Sequence, residues 1–161
     1  MAQASANIDL PVSAETVWQL IGGFNSLPDW SPNILRSETT EGGRVRHLAI
    51  SNGVTVVERL EKFDNAARNY SYSIVQAPFP ITDYLATISV HDKAGGNECR
   101  VDWSGTFAAK GVSDSEASKL VQAIFEDGLK ALAARFAPSR RVSPASAAKA
   151  VKPLTTNTKG K

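Results

Sequence analysis

The stretch from Ser113 to Phe136, SDSEASKLVQAIFEDGLKALAARF, limits the possible folds more than any other part of the chain. Ala117, Leu120, Val121, Ile124, Phe125, Gly128, Leu129, Leu132 and Phe136 recur mostly at alternating steps of three and one, which draws a single apolar stripe along a helix. Ser113 followed by Glu116 has the form of a capping box, and Asp114 and Glu116 set negative charge at the positive end of the macrodipole. Arg135 lies near the opposite end, and Pro138 helps to close the helix. At about 1.5 Å per residue the helix is roughly 35 Å long, enough to cross a small sheet from corner to corner. A stripe of that length needs a sheet to lie on.

Gly128 falls near the middle of that stripe, where a side chain would normally fill the core. Glycine costs about 1 kcal/mol against alanine in a helix interior, so its presence calls for a reason. Two are open: the backbone packs closely against an aromatic ring, or space is left for a ligand.

The rest of the chain supplies the sheet. Ile8 and Leu10 fall on one side of a short alternating run, the expected first strand. Ser13 then caps a helix through Gly22, with Val12 and Val17 placed as a hydrophobic staple and Glu15 in the first turn. Phe24, Leu27, Pro28, Trp30 and Pro32 follow in a segment where proline permits only a short second helix or turn. From Asn33 to Ala108, alternating segments are broken at Glu41-Gly42-Gly43, Ser51-Asn52-Gly53, Asp64-Asn65, Ala77 to Pro80 and Ala94-Gly95-Gly96, the pattern of an antiparallel meander. The expected fold is α+β: a bent antiparallel sheet of about seven strands around one long C-terminal helix, with two short helices after strand 1.

With 161 residues and 42% hydrophobic composition, one domain with a real core is expected, over residues 1–137. Residues 138–161 are poor in large apolar side chains, and a disordered basic tail is expected there. Arg140, Arg141, Lys149, Lys152, Lys159 and Lys161 lie in it without an acid, so the formal net charge of +2 divides into about −4 for the domain and +6 for the tail. Such a tail either docks on an acidic partner or is simply solvated. The lone Cys99 forms no internal disulfide, and no signal peptide or membrane span is apparent, so a cytoplasmic protein is expected.

Strand residues alternate faces, so each segment sorts into an inner and an outer set. Val54, Val56, Glu58 and Leu60 form the more apolar set of their strand, which carries Glu58 inward. Tyr70, Tyr72 and Ile74 form the next inner wall, then Tyr84, Ala86, Ile88 and Val90, then Cys99, Val101, Trp103, Gly105 and Phe107. A buried carboxylate needs a partner, and tyrosine hydroxyls can donate. Glu58 with Tyr72 or Tyr84 is thus expected as a polar cluster in an apolar chamber, the usual make-up of a small-molecule pocket. Trp103, Leu48, Ile50, Phe79, Ile124, Phe125 and Gly128 complete the candidate wall. The alternative is a structural hydrogen bond, or an Arg–Glu pair on the outside. His47 and His91 fall on the outer set, and no catalytic triad, phosphate loop or metal-ligand spacing is present, so neither metal nor cofactor is expected. Arg44, Arg46 and Arg59 are too scattered on an acidic domain to suggest nucleic-acid binding.

The stretches IDLPVSAETVWQLIGGFNSLPDWSP, VVERLEKFD, ITDYLATISV and VDWSGTF, in this order before the long helix, resemble the polyketide cyclase/dehydrase and lipid-transport superfamily, with its START or Bet v 1-like helix-grip fold. The likeness runs from residue 3 to about 137. It implies a cavity between bent sheet and last helix that holds hydrophobic or amphipathic molecules. Glu58 to Leu60 is also similar to a stretch of the plant abscisic-acid receptors in this superfamily, where the glutamate lines the pocket, and Tyr84 matches a pocket tyrosine there. Pro32 stands where those receptors carry the lysine that anchors a ligand carboxylate, and Ser51-Asn52-Gly53 replaces their longer gate loop, so hormone perception of that kind is not implied.

The resulting expectation is a carrier or sensor that holds a small lipid- or polyketide-like molecule in an internal cavity. Two alternatives stand beside it. One is a cyclase or dehydratase with Glu58 as acid or base and Tyr84 donating to a developing enolate. The other is a partner-binding module that docks through the basic tail. Fold alone does not choose among them, and the oligomeric state is not readable from the sequence.

Overall fold

The computed structural model describes residues 1–137, and its organising element is the expected helix, α3, Asp114–Phe136. The capping box forms in full: the Ser113 side chain accepts from the Glu116 amide at 3.1 Å, and Glu116 Oε1 accepts from the Ser113 amide at 3.1 Å. Ala117, Val121, Phe125, Leu129 and Leu132 make the buried stripe. At the far end of the helix the Arg135 guanidinium donates to the carbonyl of Asp29.

Seven strands surround it: β1 Ala2–Leu10, β2 Ile34–Thr40, β3 Val45–Ile50, β4 Thr55–Asp64, β5 Asn69–Gln76, β6 Ile81–Asp92 and β7 Cys99–Ala109. Two short helices, α1 Ala14–Ile21 and α2 Leu27–Trp30, follow β1 as expected. Ser13 caps α1 by accepting from the Thr16 amide, and Pro28 stands in the first turn of α2. A single turn of 3-10 helix at Glu41–Gly43 joins β2 to β3. All strand pairs are antiparallel, in the order β1-β7-β6-β5-β4-β3-β2, so the meander is contiguous and β1 returns to pair with β7. This is the helix-grip arrangement.

Bulges bend the sheet where it must curve. Register shifts occur on either side of Glu58 in β4, between Val57 and Glu58 and between Leu60 and Lys62, and in β6 between Thr82 and Leu85. An extra residue on one strand raises the local twist and re-aims the side chains beside it. In β6 the irregularity includes Asp83 at φ 54, and it is followed at once by the inward-pointing Tyr84.

The filled part of the core joins the α3 stripe to Val101, Trp103 and Phe107 of β7 and to Ala86, Ile88 and Val90 of β6. Gly128 belongs to this packing. A methyl group built on it would stand 2.7 Å from Cζ3 of Trp103, so close approach to an aromatic ring, one of the two reasons open for a glycine, is realised. No helix among the described residues is long and apolar enough to cross a membrane. The segment 138–161, expected as a basic tail, lies outside the described residues.

Candidate functional site

Between α3 and the β3–β6 part of the sheet the side chains do not meet, and they leave a cavity of about 300 Å³. That size lies at the lower end of the roughly 300–1,000 Å³ common for small-molecule sites. Leu48 and Ile50 of β3, Val54, Val56, Ile74 and Ile81 supply aliphatic walls, and Phe79 and Trp103 supply rings. From α3 come Leu120, Val121, Ile124 and Gly128. Ile81 and Tyr84 both reach the cavity although they are three residues apart in a strand, which the β6 bulge permits. The exposed residues Asn33, Asn52, Ile124 and Asp127 mark the mouth, whereas Arg46, Glu58, Tyr72, Tyr84 and Trp103 are buried.

These five buried residues make two polar sets. In the first, Arg46 stands directly opposite Glu58 across β3 and β4. Its Nε donates to Glu58 Oε1 at 2.9 Å, and its Nη2 stands 2.7 Å from the same oxygen. Its Nη1 donates to the carbonyl of Phe24 at 2.6 Å, and its guanidinium carbon lies 4.1 Å from the centre of the Phe24 ring. Arg46 is 1% exposed and Glu58 8%. Burial works against the Arg46 charge, but the Glu58 carboxylate outweighs it and holds the guanidinium firmly protonated. Each charge thus has its counter-charge at hydrogen-bond distance, which is the condition for keeping ions away from water.

In the second set, Trp103 Nε1 donates to the Tyr72 hydroxyl at 3.0 Å, and the hydroxyls of Tyr72 and Tyr84 are bonded to each other at 3.1 Å. Burial pushes both phenols well above their ordinary value. The charge of nearby Glu58 adds to the effect in each, so both stay neutral and protonated.

Nine of the ten residues expected at the wall are brought together: Glu58, Tyr72, Tyr84, Trp103, Leu48, Ile50, Phe79, Ile124 and Gly128 all line the cavity. Phe125 does not. It is fully buried behind Trp103, stacked on the indole at 4.9 Å between centroids, because the helical stripe faces filled core and open cavity in turn. The expected hydrogen bond between Glu58 and a tyrosine is replaced by the ion pair with Arg46. On its β5 side Glu58 is opposite Ile74, while Tyr72 is opposite Leu60, so the register offers Glu58 an arginine on one strand and no hydroxyl directly on the other. Arg46 was the buried polar residue missed, and parity held the signal. His47 and Arg46 are neighbours in a strand, so turning His47 outward turns Arg46 inward. His47 bonds to Thr40 and His91 to Ser89 and Asp102, all on the outer face.

A second hollow, of about 530 Å³, lies on the outer face of the sheet against Gln3, Ser5, Leu85, Thr87, Ser104 and Thr106. It is shallow and polar, without the enclosing apolar walls of the inner cavity. Among the described residues no group of three or more His, Cys, Asp or Glu is placed to hold a metal ion.

Comparison with known proteins gives consistent matches. A family model described as Polyketide cyclase / dehydrase and lipid transport matches residues 1–137. A crystal structure of a protein from Bacillus thuringiensis is 55% identical, with a TM-score of 0.82 over 84% of this chain and 98% of that one. The protein XoxI from Bacillus cereus is 54% identical, with a TM-score of 0.82 over 84% and 96% of the two chains. A START superfamily protein from Mycobacterium smegmatis, 18% identical with a TM-score of 0.69 over 84% and 97%, shares the fold. No curated protein matches.

Proposed function

Because this chain belongs to the polyketide cyclase/dehydrase and lipid transport family, we propose that it holds a small hydrophobic or amphipathic molecule in the inner cavity, as a carrier or sensor. The observation that carries this reading is the cavity itself: about 300 Å³ of space, apolar along its length, with buried polar groups gathered on one part of the wall. A filled core would have been more stable, since lining atoms at a void lose their packing partners. An apolar molecule bound there restores those contacts and leaves water, at about 25 cal/mol for each Å² of apolar surface removed.

Native mass spectrometry of the freshly purified chain, followed by denaturing extraction, tests the reading. The expected result is a stoichiometric hydrophobic compound, or its uptake from a panel of aromatic ketones and acyl lipids. Ile124→Trp is the matching control. Ile124 is at the mouth and 39% exposed, so an indole there fills the entrance with little strain on the core. The variant should fold normally and come out empty. A wild-type chain that emerges empty and takes up nothing from the panel would overturn the reading.

A second reading, a cyclase or dehydratase chemistry, is favoured by one observation: a carboxylate and two paired phenols face the same apolar space. There Glu58 would move a proton and Tyr84 would stabilise an enolate oxygen. The pairing of Glu58 Oε1 with Arg46 speaks for a positioning role instead, and turnover of a bound aromatic ketone that is abolished in Glu58→Gln would decide for catalysis.

A further inference from the structure

On the premise that the cavity takes a small molecule, we propose that it selects neutral ligands bearing a hydroxyl group and turns away carboxylates and amines of the same skeleton.

The first ground is charge. Among the described residues Arg46 is the one basic residue that lines the cavity, whereas Glu58 and Asp127 are both acidic. Each nitrogen of Arg46 makes one contact, Nε and Nη2 to Glu58 Oε1 and Nη1 to the carbonyl of Phe24, and the hydrogens left on Nη1 and Nη2 belong to a cation whose charge Glu58 already matches. An entering carboxylate therefore passes an aspartate at the mouth and, among the described residues, finds no cation inside that lacks a counter-charge. Burying it unpaired is prohibitive in an apolar wall.

The second ground is a count of donors and acceptors. Both guanidinium contacts fall on Glu58 Oε1, and no described side chain donates to Oε2. A carboxylate oxygen accepts only, so Oε2 is an unfilled acceptor. In the chain from Trp103 Nε1 to the Tyr72 hydroxyl to the Tyr84 hydroxyl, three hydrogens are available and two bonds are made. Whichever tyrosine donates to the other, one phenolic hydrogen is left over. Besides the two hydrogens left on Nη1 and Nη2 of the already neutralised Arg46, the wall offers one unfilled carboxylate oxygen and one free phenolic hydrogen. A hydroxyl group is itself one donor and one acceptor, and it answers both. An ammonium is drawn by Asp127 at the mouth, but at Oε2 it stands beside the Arg46 charge that already neutralises Glu58, and it has no acceptor for the phenolic hydrogen, so inside it answers only one.

The test uses four naphthalenes of nearly equal size on the full chain at pH 7: 2-naphthol, 2-naphthoate, (2-naphthyl)methylamine and 2-methylnaphthalene, titrated by calorimetry or by their own fluorescence. Naphthol should bind at least about tenfold more tightly than the naphthoate or the amine, with methylnaphthalene between, held by apolar burial alone. Glu58→Gln keeps the shape and leaves Arg46 without its counter-charge, so the naphthoate should gain on naphthol and the preference should narrow or reverse. Should that variant fail to fold, the ranking on the unmodified chain decides. Naphthoate or amine binding as tightly as naphthol overturns the selectivity and leaves the cavity reading standing. If none of the four binds, the selectivity falls, and the cavity reading is decided separately by the extraction and the panel of ketones and acyl lipids.

Discussion

Two arginine–carboxylate pairs occupy equivalent places in the sheet. Arg46 and Glu58 are directly opposed across β3 and β4, and Arg100 and Asp9 across β1 and β7. The bond lengths are alike, 2.9 Å from Arg46 Nε to Glu58 and 3.0 Å from Arg100 Nε to Asp9, the second joined by Lys93 at 3.1 Å. The faces differ. Arg46 and Glu58 point into the concave side, while the Arg100 and Asp9 side chains are 48% and 47% exposed. Register alone makes a cross-strand ion pair; only burial makes it a determinant of what the cavity can hold. On the outer face water solvates either partner after the other is removed, whereas inside a lone charge has no such recourse.

The strongest way to break the comparison is to cut each pair in the same manner. Arg46→Ala leaves Glu58 buried without its counter-charge and the Phe24 carbonyl without its donor, and should lower stability by about 3–5 kcal/mol in urea denaturation. Arg100→Ala should leave the midpoint unchanged within error. Equal losses at both sites would show that burial is not what separates them.

A smaller effect is expected in the neutral polar set. Tyr72→Phe removes the acceptor of Trp103 Nε1 and strands a buried indole N–H, which should cost about 1–3 kcal/mol and shift the tryptophan emission. The smallest is on the surface, and it depends on pH. Lys93 and Arg100 hold the Asp9 carboxyl below its ordinary value of 3.8, first through the hydrogen bond from Arg100. A depressed folded-state pKa contributes stability that is present above the unfolded value and is lost as pH falls through the folded one. Asp9→Asn should therefore match the parent once the pH has fallen below the folded-state value of Asp9, and fall only slightly short of it near neutrality, in melts run from acid to neutral pH.

The same contrast explains what could be read from the residues in advance. The helix, the meander and the inward faces follow from periods of 3.6 and 2, which are local, and so Glu58, Tyr72, Tyr84 and Trp103 were legible as wall residues. Arg46 was not, although its parity opposes that of His47, because an arginine in a strand reads as a surface residue until the strand beside it is known to present a buried carboxylate. Partner identity depends on register: the β3–β4 pairing sets Arg46 against Glu58, and the bulges of the β4–β5 pairing decide that Ile74, not a tyrosine, faces Glu58 on the other side. Phe125 erred for a related reason: periodicity marks the covered face of α3 but not which part of that face meets packed side chains and which meets space.

The contact between Gly128 and Trp103 has a mechanical consequence. With 2.7 Å between a virtual methyl group and the indole edge, the ring acts as a gauge block that sets the clearance between helix and sheet. Hard-core repulsion forbids a smaller gap there, and the stack of Trp103 on Phe125 resists a larger one. Chamber size is then adjustable only away from that block, at Leu48, Ile74, Phe79 or Ile124. Trimming Leu48 or Ile74 is the route to a roomier version of this domain, and widening the grip at Gly128 would dismantle it.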